Sequence, residues 1–370
     1  MKSADEPPLV WPAALRRPLT GRPVVYLDLN HWISLAKAAV GHPQGESFKD
    51  ALDTCRSAAL RGSATFVLAG AHYLEVLKVT SARQRRDIAD VMERLTGFRT
   101  LVSRLAVMKL ELSSTLDSIL GLKSRDAEIE LIGHGALHAF GLSGSLRIRD
   151  RTTGADVTPQ FREQYGAGRF DDYMANALLE FERSHLRGPQ DEAELQKLQS
   201  LGYDHQRPLQ IAVTRAEEER AQRLRLDGGG PWRGERLPDV VSARELLIEF
   251  QRMAPMAFQE RNIGLEDVLT SPEAGVTFMR SMPSTDVSVA LKIAWHRNRD
   301  KPWSANDIYD IDAMALAVPY CDVVVTEKAC HHALVSTGMD VRMNTVLLRD
   351  LPSLAATLAD WKADGPTPSA

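Results

Sequence analysis

Carboxylate side chains recur at the ends of apolar, strand-like runs and near the starts of the helical patterns that follow them. Asp28 comes directly after the run "VVYL" (24–27), and Glu327 directly follows "DVVVT" (322–326). Further acids in comparable surroundings are Glu75, Asp307, Asp310 and Asp312. Carboxylates that gather at one place repel one another unless a cation lies among them, and Mg²⁺ and Mn²⁺ prefer such oxygen ligands. The pattern therefore predicts a divalent metal centre.

A pair of such ions would give this centre a hydrolytic chemistry. Two metals about 3.5–4 Å apart activate a water molecule and stabilise the leaving oxygen when a phosphodiester bond is cleaved. At least one carboxylate has to bridge the two metals, and Asp28 at the end of a buried strand is well placed for this task. The candidate catalytic and metal-binding residues are Asp28, Glu75, Asp310 and Asp312, with Glu327 as a further metal-binding residue in a secondary role.

Each acid also has a purely structural explanation. An Asp at a strand-to-helix junction caps the next helix, and Asn30 or His31 could share that task with Asp28. Acids in the first turn of a helix are favoured by its dipole, which accounts for one or two of the aspartates between 307 and 312. A carboxylate after each successive strand is not explained in this way.

The elements that must position these acids alternate between strand and helix in two parts of the chain. Residues 22–103 contain the strand-like runs "VVYL" and "TFVLA", and residues 285–362 contain "DVVVT" and "TVLL". Such alternation predicts an α/β fold with a parallel sheet flanked by helices, and ligands bind beyond the carboxyl ends of such strands. Each part is too short to bury a core alone, so we expect both to form one domain.

Residues 104–284 separate these parts and mostly show helical and loop-like patterns. We predict a helical insertion that carries no motif with a chemistry of its own. Its charged run "TRAEEERAQRLRL" (214–226) places Glu219 and Arg223 one helical turn apart, which is typical of a solvent-facing helix stabilised by ion pairs. An RNA-binding face is the alternative for this run.

The motifs resemble those of the PIN domain nucleases, and of bacterial PIN-like proteins in particular. That family has an apolar strand ending in Asp, a Glu in the helix after the second strand, an Asp opening a later helix rich in small residues, and a strand ending in Thr before an acid. The corresponding motifs here are "VVYLD" with Asp28, "HYLEVLK" with Glu75, "DIYDIDAMALA" with Asp310 or Asp312, and "DVVVTEK" with Thr326 and Glu327. The usual domain is far shorter than this chain, so the resemblance does not extend to residues 104–284.

The resemblance implies a PIN-like fold, an endoribonuclease that hydrolyses RNA, and Mg²⁺ or Mn²⁺ as cofactor. It leaves open whether such an enzyme acts as a toxin, a defence nuclease or a housekeeping enzyme. A protein partner such as an antitoxin and a homo-oligomeric state are both compatible with it.

The third acid of the metal centre is ambiguous. Asp310 lies 16 residues before Thr326, close to the spacing of the family, whereas Asp312 is directly followed by alanine in the family manner. Residues two apart on a helix point about 200° apart, so both acids are not expected to bind one metal unless one lies in an irregular first turn. We favour Asp310 over Asp312.

Side chains suited to an RNA backbone lie near these acids. The segment "WHRNRDKPW" (295–303) combines cations with two tryptophans, and it could bind phosphates and stack a base. The equal alternative is a helix end with cations at its C-terminus and tryptophans in the core. The candidate substrate-binding residues are Asn30, His31, Thr326, Arg297, Arg299 and Lys301.

Two other functional classes fit parts of the pattern. A haloacid-dehalogenase-like phosphatase also places a nucleophilic Asp after its first strand, but it needs a second Asp two residues later, where this chain has Asn30. A non-catalytic PIN-like binding module would use the acids to cap helices and the insertion to hold a partner.

The composition indicates a globular protein without a membrane span. The 370 residues are 44% hydrophobic and carry a formal net charge of −4, so any nucleic-acid contact must come from a local basic patch. No apolar run approaches the ~18 residues of a membrane span, and the N-terminus lacks the apolar core of a signal peptide. Cys55, Cys321 and Cys330 show no zinc-ligand spacing, so we expect buried, reduced thiols and a cytoplasmic location.

Overall fold

The structure is a computed structural model that describes residues 7–17, 21–142, 146–200, 204, 206–228 and 233–361. Its strands are β1 (Leu15–Arg16), β2 (Val24–Leu27), β3 (Thr65–Val67), β4 (Arg99–Leu101), β5 (Ile129–Glu130), β6 (Ile132–His134), β7 (Val323–Val325) and β8 (Val346–Leu348). Its helices are α1 (Leu29–Ala39), α2 (Lys49–Arg61), α3 (Gly70–Val76), α4 (Ala82–Thr96), α5 (Arg104–Leu120), α6 (Gly135–Ala139), α7 (Thr158–Tyr165), α8 (Ala167–Arg187), α9 (Glu192–Ser200), α10 (Arg207–Asp227), α11 (Leu237–Arg244), α12 (Ala254–Arg261), α13 (Pro272–Ser281), α14 (Pro283–Arg297), α15 (Ala305–Tyr320), α16 (Lys328–Ser336), α17 (Met339–Met343) and α18 (Leu351–Asp360). A π-helical turn spans Glu245–Glu249, and 3-10 helices span Pro43–Phe48 and Leu265–Asp267.

The central sheet consists of four parallel strands in the order β3-β2-β7-β8. Val25 of β2 pairs with Phe66 of β3 on one side and with Val323 of β7 on the other. The two strands from the first part of the chain therefore lie beside the two from the last part, with β2 and β7 as the inner strands. The chain passes from β2 to β3 on one side of the sheet and from β7 to β8 on the other, so the point at which open α/β sheets form a ligand-binding crevice lies between the carboxyl ends of β2 and β7.

Helices cover both faces of this sheet. Val25 and Leu27 share a hydrophobic core with α1, α2, α4 and α18, whereas Val24 and Tyr26 pack among residues of α14, α15, α16 and α17. Successive side chains of a strand point to opposite faces, so an apolar run such as "VVYL" is buried on both sides. This arrangement confirms the predicted α/β class with a parallel sheet flanked by helices.

The region 104–284 is largely helical and packs directly on the α/β part. Helix α5 packs against α14 and α15, and α10 packs along α15. Val107 of α5 and Ala212 of α10 belong to the same hydrophobic core as Ile308 of α15. The predicted insertion thus shares a core with the helices on one face of the sheet.

The structure places one predicted boundary inside a helix. Helix α14 begins at Pro283, two residues before the predicted start of the second α/β part at position 285. Position 362, the predicted end of that part, lies outside the described residues.

Helix α10 carries the charged run 214–226, and one side of it is buried. Glu219 is 2% exposed and accepts hydrogen bonds from Arg244 and, at 2.9 Å, from His296. Arg223 donates to the main-chain carbonyl of Trp295 at 2.6 Å. The prediction of a solvated helix is therefore wrong for the side of α10 that faces α14 and α15.

Buried ion pairs join the insertion to α14. Lys292 of α14 is 1% exposed and pairs with Glu245 of the π-helical turn. Its Nζ also lies 3.2 Å from Glu249 Oε1 and 3.6 Å from Glu219 Oε1. The hydroxyl of Ser288 donates to Glu245 Oε1 at 2.8 Å. One ammonium group shared by carboxylates of the insertion thus fixes α14 against it.

The structure bears on two further expectations. No helix among the described residues has the length and apolar character needed to cross a membrane. Cys55, Cys321 and Cys330 are buried free thiols, as the sequence predicts.

Candidate metal centre

Asp28 lies at the carboxyl end of β2 and begins α1. Its backbone N–H donates to Val325 O of β7 at 2.9 Å, which fixes the residue beside the inner strand. Its Oδ1 accepts a hydrogen bond from the N–H of Leu29 at 2.8 Å, and the hydroxyl of Thr326 donates to Oδ2 at 3.4 Å. The side chain is 8% exposed, and burial raises its pKa despite these bonds. Asp28 is therefore both the cap of α1 and a buried carboxylate.

Thr326 and Glu327 occupy the matching position after β7. Thr326 is fully buried, and its N–H donates to Leu348 O of β8 at 3.0 Å. Glu327 is exposed, and the side-chain amide of Asn30 donates to it from the first turn of α1. The predicted substrate-binding residues Asn30 and Thr326 therefore contact the acids and bridge the ends of β2 and β7.

Glu75 lies near the end of α3, and Asp310 lies on the second turn of α15. Burial, followed by the charge of Asp28, raises the pKa of Glu75 to about 7. Burial, followed by the charges of Asp28, Glu75, Glu327 and Asp307, raises the pKa of Asp310 to about 8. Like charges shift each other's pKa in this way only when they lie close together. Asp28, Glu75, Asp310 and Glu327 form one group at the carboxyl end of the sheet, which we call the acid cluster.

Asp312, a metal ligand in the sequence prediction, lies outside the acid cluster. Its carboxylate pairs with Arg104 of α5 and, at 2.6 Å, with Arg215 of α10. Burial would raise the pKa of Asp312, but the charges of these arginines lower it. Positions 310 and 312 differ by about 200° around a helix, so Asp312 meets the insertion while Asp310 meets the acids. The prediction of Asp312 as a ligand is corrected accordingly.

Asp307 is occupied by structural contacts. Its Oδ2 accepts hydrogen bonds from the backbone N–H and the hydroxyl of Ser304 at 2.8 and 2.6 Å, which forms a capping box at the start of α15. Its Oδ1 accepts from the indole N–H of Trp295 at 2.7 Å and lies 2.5 Å from Lys301 Nζ. Of the three candidate aspartates, Asp310 is therefore the member of the acid cluster.

The "WHRNRDKPW" segment does not form the predicted base-stacking surface. Trp295 and Trp303 are 5% and 1% exposed and belong to the hydrophobic core. Lys301 Nζ lies 4.2 Å from the ring centroid of Trp295 in addition to its ion pair with Asp307. Arg297 and Arg299 are exposed at the end of α14. The stacking prediction is wrong for both tryptophans, and phosphate binding by the two arginines stays a prediction.

His31 lies on α1 next to the crevice. Burial lowers the pKa of His31. A hydrogen bond to the backbone of Thr326 and the charges of Glu327 and Asp350 act in the opposite direction but offset this shift only in part. Its Nε2 is buried and has no hydrogen-bond partner among the described residues. The predicted contact of His31 with substrate stays a prediction.

The acid cluster fits Mg²⁺ or Mn²⁺ by its donor atoms and by an unpaired hydroxyl beside it. Carboxylate oxygens are the ligands that these ions prefer. Tyr26 is 0% exposed, and its hydroxyl has no hydrogen-bond partner among the described residues. Burial, and then the charges of Asp28 and Glu75, raise the pKa of Tyr26, so it lies near the acids. Within the described ranges, no three His, Cys, Asp or Glu side chains already converge as a ligand set.

Similarity to other proteins adds nothing to this geometry. No family model, no curated protein and no solved structure matches the chain. The assignment of the acid cluster therefore rests on the positions and charges of its own residues.

His72 links the two elements that carry Asp28 and Glu75, and the sequence prediction missed it. The ring is fully buried; the N–H of Ala69 donates to Nδ1 at 2.9 Å, and Nε2 lies 2.7 Å from Leu27 O. Since a backbone N–H can only donate, Nε2 carries the proton and donates it to Leu27. Burial lowers the pKa of His72 to about 4, which keeps the ring neutral. The sequence signal that could have identified His72 is its position three residues before Glu75 on the same helix, α3.

Proposed function

We propose that this chain is a PIN-like ribonuclease that hydrolyses RNA phosphodiester bonds with Mg²⁺ or Mn²⁺ bound at the acid cluster. The observation that carries the proposal is that Asp28 and Glu327 follow the neighbouring strands β2 and β7 and are linked across them through Thr326 and Asn30, while the charge of Asp28 raises the pKa of both Glu75 and Asp310. Ligands of open parallel sheets bind at such crevices. Carboxylates that raise each other's pKa are unfavourable in the folded state, and a divalent cation among them offsets this repulsion.

The members of the acid cluster have different proposed roles. Asp28, Glu75 and Asp310 would hold the metal directly, and β2 and its hydrogen bonds keep Asp28 in place for this role. The bound ions would supply an activated water and stabilise the leaving oxygen. Glu327 is exposed and already contacts Asn30, so we assign it an outer position, through a metal-bound water.

Cleavage of a mixed RNA pool by the wild type and by Asp28→Asn tests the proposal. The amide keeps an oxygen that can cap α1, but it loses the charge that holds a metal, so we expect a folded variant without activity. The loss should exceed about 100-fold, because even the outer partners of a metal ligand are worth roughly 10- to 100-fold. The wild type should cleave with Mg²⁺ or Mn²⁺ and stop when a chelator is added.

Asp350 provides a matched control. It follows β8 of the same sheet and caps α18 by accepting the N–H of Ser353 at 2.8 Å, as Asp28 caps α1. Its pKa is lowered by the bonds with Ser353, in contrast to the raised pKa of Asp28. Asp350→Asn should therefore leave cleavage unchanged. Full cleavage by Asp28→Asn, or cleavage that a chelator does not stop, would refute the proposal.

The cap formed by Asp28 favours one second candidate, a non-catalytic PIN-like binding module. In such a module the acids stabilise helix ends. The cleavage assay would then show no degradation of the RNA pool with either Mg²⁺ or Mn²⁺. A haloacid-dehalogenase-like phosphatase has no comparable support, because Asn30 stands where its second Asp is needed and contacts Glu327. We place the ribonuclease in the cytoplasm, where free thiols such as those of this chain persist.

A further inference from the structure

Lys78 lies beside the acid cluster and contacts both helices that carry its inner members. It follows the C-cap of α3, and its backbone N–H donates to Glu75 O at 3.0 Å. Its Nζ lies 3.9 Å from Glu75 Oε1 and donates to the side-chain oxygen of Asn306 on α15 at 3.0 Å. The same ammonium group lies 3.8 Å from the ring centroid of Tyr309. These contacts orient Lys78 at the rim of the cluster.

The contacts of Lys78 orient its ammonium group without saturating it. An ammonium has three N–H donors, and the neutral side chain of Asn306 accepts one of them. The distance of 3.9 Å to Glu75 is at the outer limit of an ion pair, and the lysine side chain is 32% exposed. Arg104 and Arg215 have less free donor capacity, because their guanidinium groups form close ion pairs with Asp312 on the other side of α15. Lys78 thus keeps donor capacity for a further oxygen.

An RNA backbone that enters the crevice carries negative charge towards the acid cluster. A bound metal compensates the carboxylates at the centre, but the neighbouring phosphates of the strand lie beyond the metal and pass Lys78 at the rim. A lysine ammonium is a compact point charge that suits phosphate oxygens, and a hydrogen bond between charged groups is roughly twice as strong as a neutral one. We propose that Lys78 binds a backbone phosphate of the RNA and gives up its long contact with Glu75 when the substrate enters. This inference rests on the proposed ribonuclease activity.

The replacement Lys78→Gln should move metal binding and substrate binding in opposite directions. Loss of a positive charge near Glu75 should tighten Mn²⁺ binding to the free protein by roughly 2- to 10-fold, as expected for one unit charge several ångströms from a divalent ion in water-like surroundings. Loss of the phosphate contact should raise KM for a mixed-sequence RNA oligonucleotide on the order of 10-fold, with a smaller change in kcat. Isothermal titration with Mn²⁺ and steady-state cleavage kinetics measure the two effects. Lys78→Arg keeps the charge and should restore KM.

Lys49 is the matched control, because it also pairs with a glutamate three residues earlier, but away from the acid cluster. Its Nζ lies 2.7 Å from Glu46 on the surface of the protein, and Lys49→Gln should change neither Mn²⁺ affinity nor KM. A Lys78→Gln variant that loses both Mn²⁺ affinity and cleavage would show a merely structural role and overturn the inference. A Lys78→Gln variant that cleaves RNA with an unchanged KM would also overturn the inference about Lys78. It would not contradict the ribonuclease proposal. A wild type that cleaves no RNA would refute that proposal and the inference with it.

Discussion

Burial of the individual carboxylates determines the chemistry at the acid cluster. An exposed Asp or Glu is ionised well below neutral pH, but Asp310 and Glu75 have pKa values of about 8 and 7 in the folded chain. Near neutral pH the metal-free cluster therefore holds protons that a bound cation would displace. Under the proposed function, metal binding would therefore be coupled to proton release at this site.

The stability of the metal-free protein should fall as the pH rises. In the unfolded chain Asp310 and Glu75 titrate near 3.8 and 4.5, so the folded state binds more protons between those values and about 8 and 7. The free energy of unfolding decreases with pH wherever the folded state binds more protons. Thermal unfolding of chelator-treated protein across this window should show a falling melting temperature, and Asp310→Asn should flatten the slope. A melting temperature that rises across the same window would contradict the assignment of Asp310 to the cluster.

Tyr26→Phe should separate fold stability from metal binding. A buried hydroxyl without a partner costs about 1–3 kcal/mol, so the variant should raise the free energy of unfolding of the metal-free protein, by about 1 kcal/mol. The additional stabilisation by Mn²⁺ should become smaller, because the charges of Asp28 and Glu75, both proposed metal ligands, add to burial in raising the pKa of the Tyr26 hydroxyl. Denaturant unfolding with and without Mn²⁺ measures both quantities.

Tyr320 is the control for this substitution. Its hydroxyl is buried and donates to Glu111 at 2.5 Å, so Tyr320→Phe should lower stability by about 1.5–3 kcal/mol and leave the Mn²⁺ effect unchanged. Equal losses of stability in Tyr26→Phe and Tyr320→Phe would mean that the Tyr26 hydroxyl has a partner in the metal-free protein.

The sequence predicts the acids better than it predicts their neighbours. Asp28 and Asp310 could be placed at the site because strand ends and helix geometry are local properties of the chain. The partners of Asp312 could not, because Arg104 and Arg215 reach it from helices that are far away in sequence. Lys78 forms a spaced pair with Glu75 that is typical of any helix surface, so its pattern carried no specific signal.

At the scale of elements, ion pairs of the π-helical turn Glu245–Glu249 connect the insertion to helices that cover one face of the sheet. Its carboxylates hold Lys292 of α14, and Glu249 also lies 3.0 Å from Arg215, which pairs with Asp312 of α15. A chain of ion pairs therefore runs from the insertion to the helix that carries Asp310. The charged run 214–226 predicted a solvent-facing helix. This prediction missed the buried ion pairs, because pairing between helices that are distant in sequence cannot be read from local patterns.

Lys292→Met should destabilise the protein far more than a surface lysine substitution would. It removes the closest cation of the fully buried Glu245 and leaves Arg104 at 3.4 Å, and loss of one partner of a buried pair costs about 3–5 kcal/mol. The double variant Lys292→Met/Glu245→Gln removes both charges and should recover a large part of that loss. Denaturant unfolding measures all three free energies. A double variant as unstable as the sum of both single variants would mean that the two side chains are not coupled.

At the scale of the whole molecule, a bound divalent ion should stabilise the fold. Mn²⁺ at about 100 times its Kd adds about 2.7 kcal/mol to the free energy of unfolding of a protein with one site. We expect this gain in the wild type and in Asp350→Asn, and its absence in Asp28→Asn. Without metal, Asp28→Asn should be at least as stable as the wild type, because one of the mutually repelling charges is gone. A full Mn²⁺ gain in Asp28→Asn would place the ion elsewhere.

The order of the strands also fixes when a growing chain can become active. Asp28 and Thr326, which meet between β2 and β7, are 298 residues apart in the sequence. During synthesis the N-terminal strands appear first, and pairing between such distant strands is a slow, late step of folding. Until β7 arrives, β2 has an unpaired edge, and the acids of the last part of the chain are absent. If the chain is the proposed ribonuclease, synthesis therefore has to pass Thr326 before the nascent chain can cleave any RNA, including the messenger that encodes it.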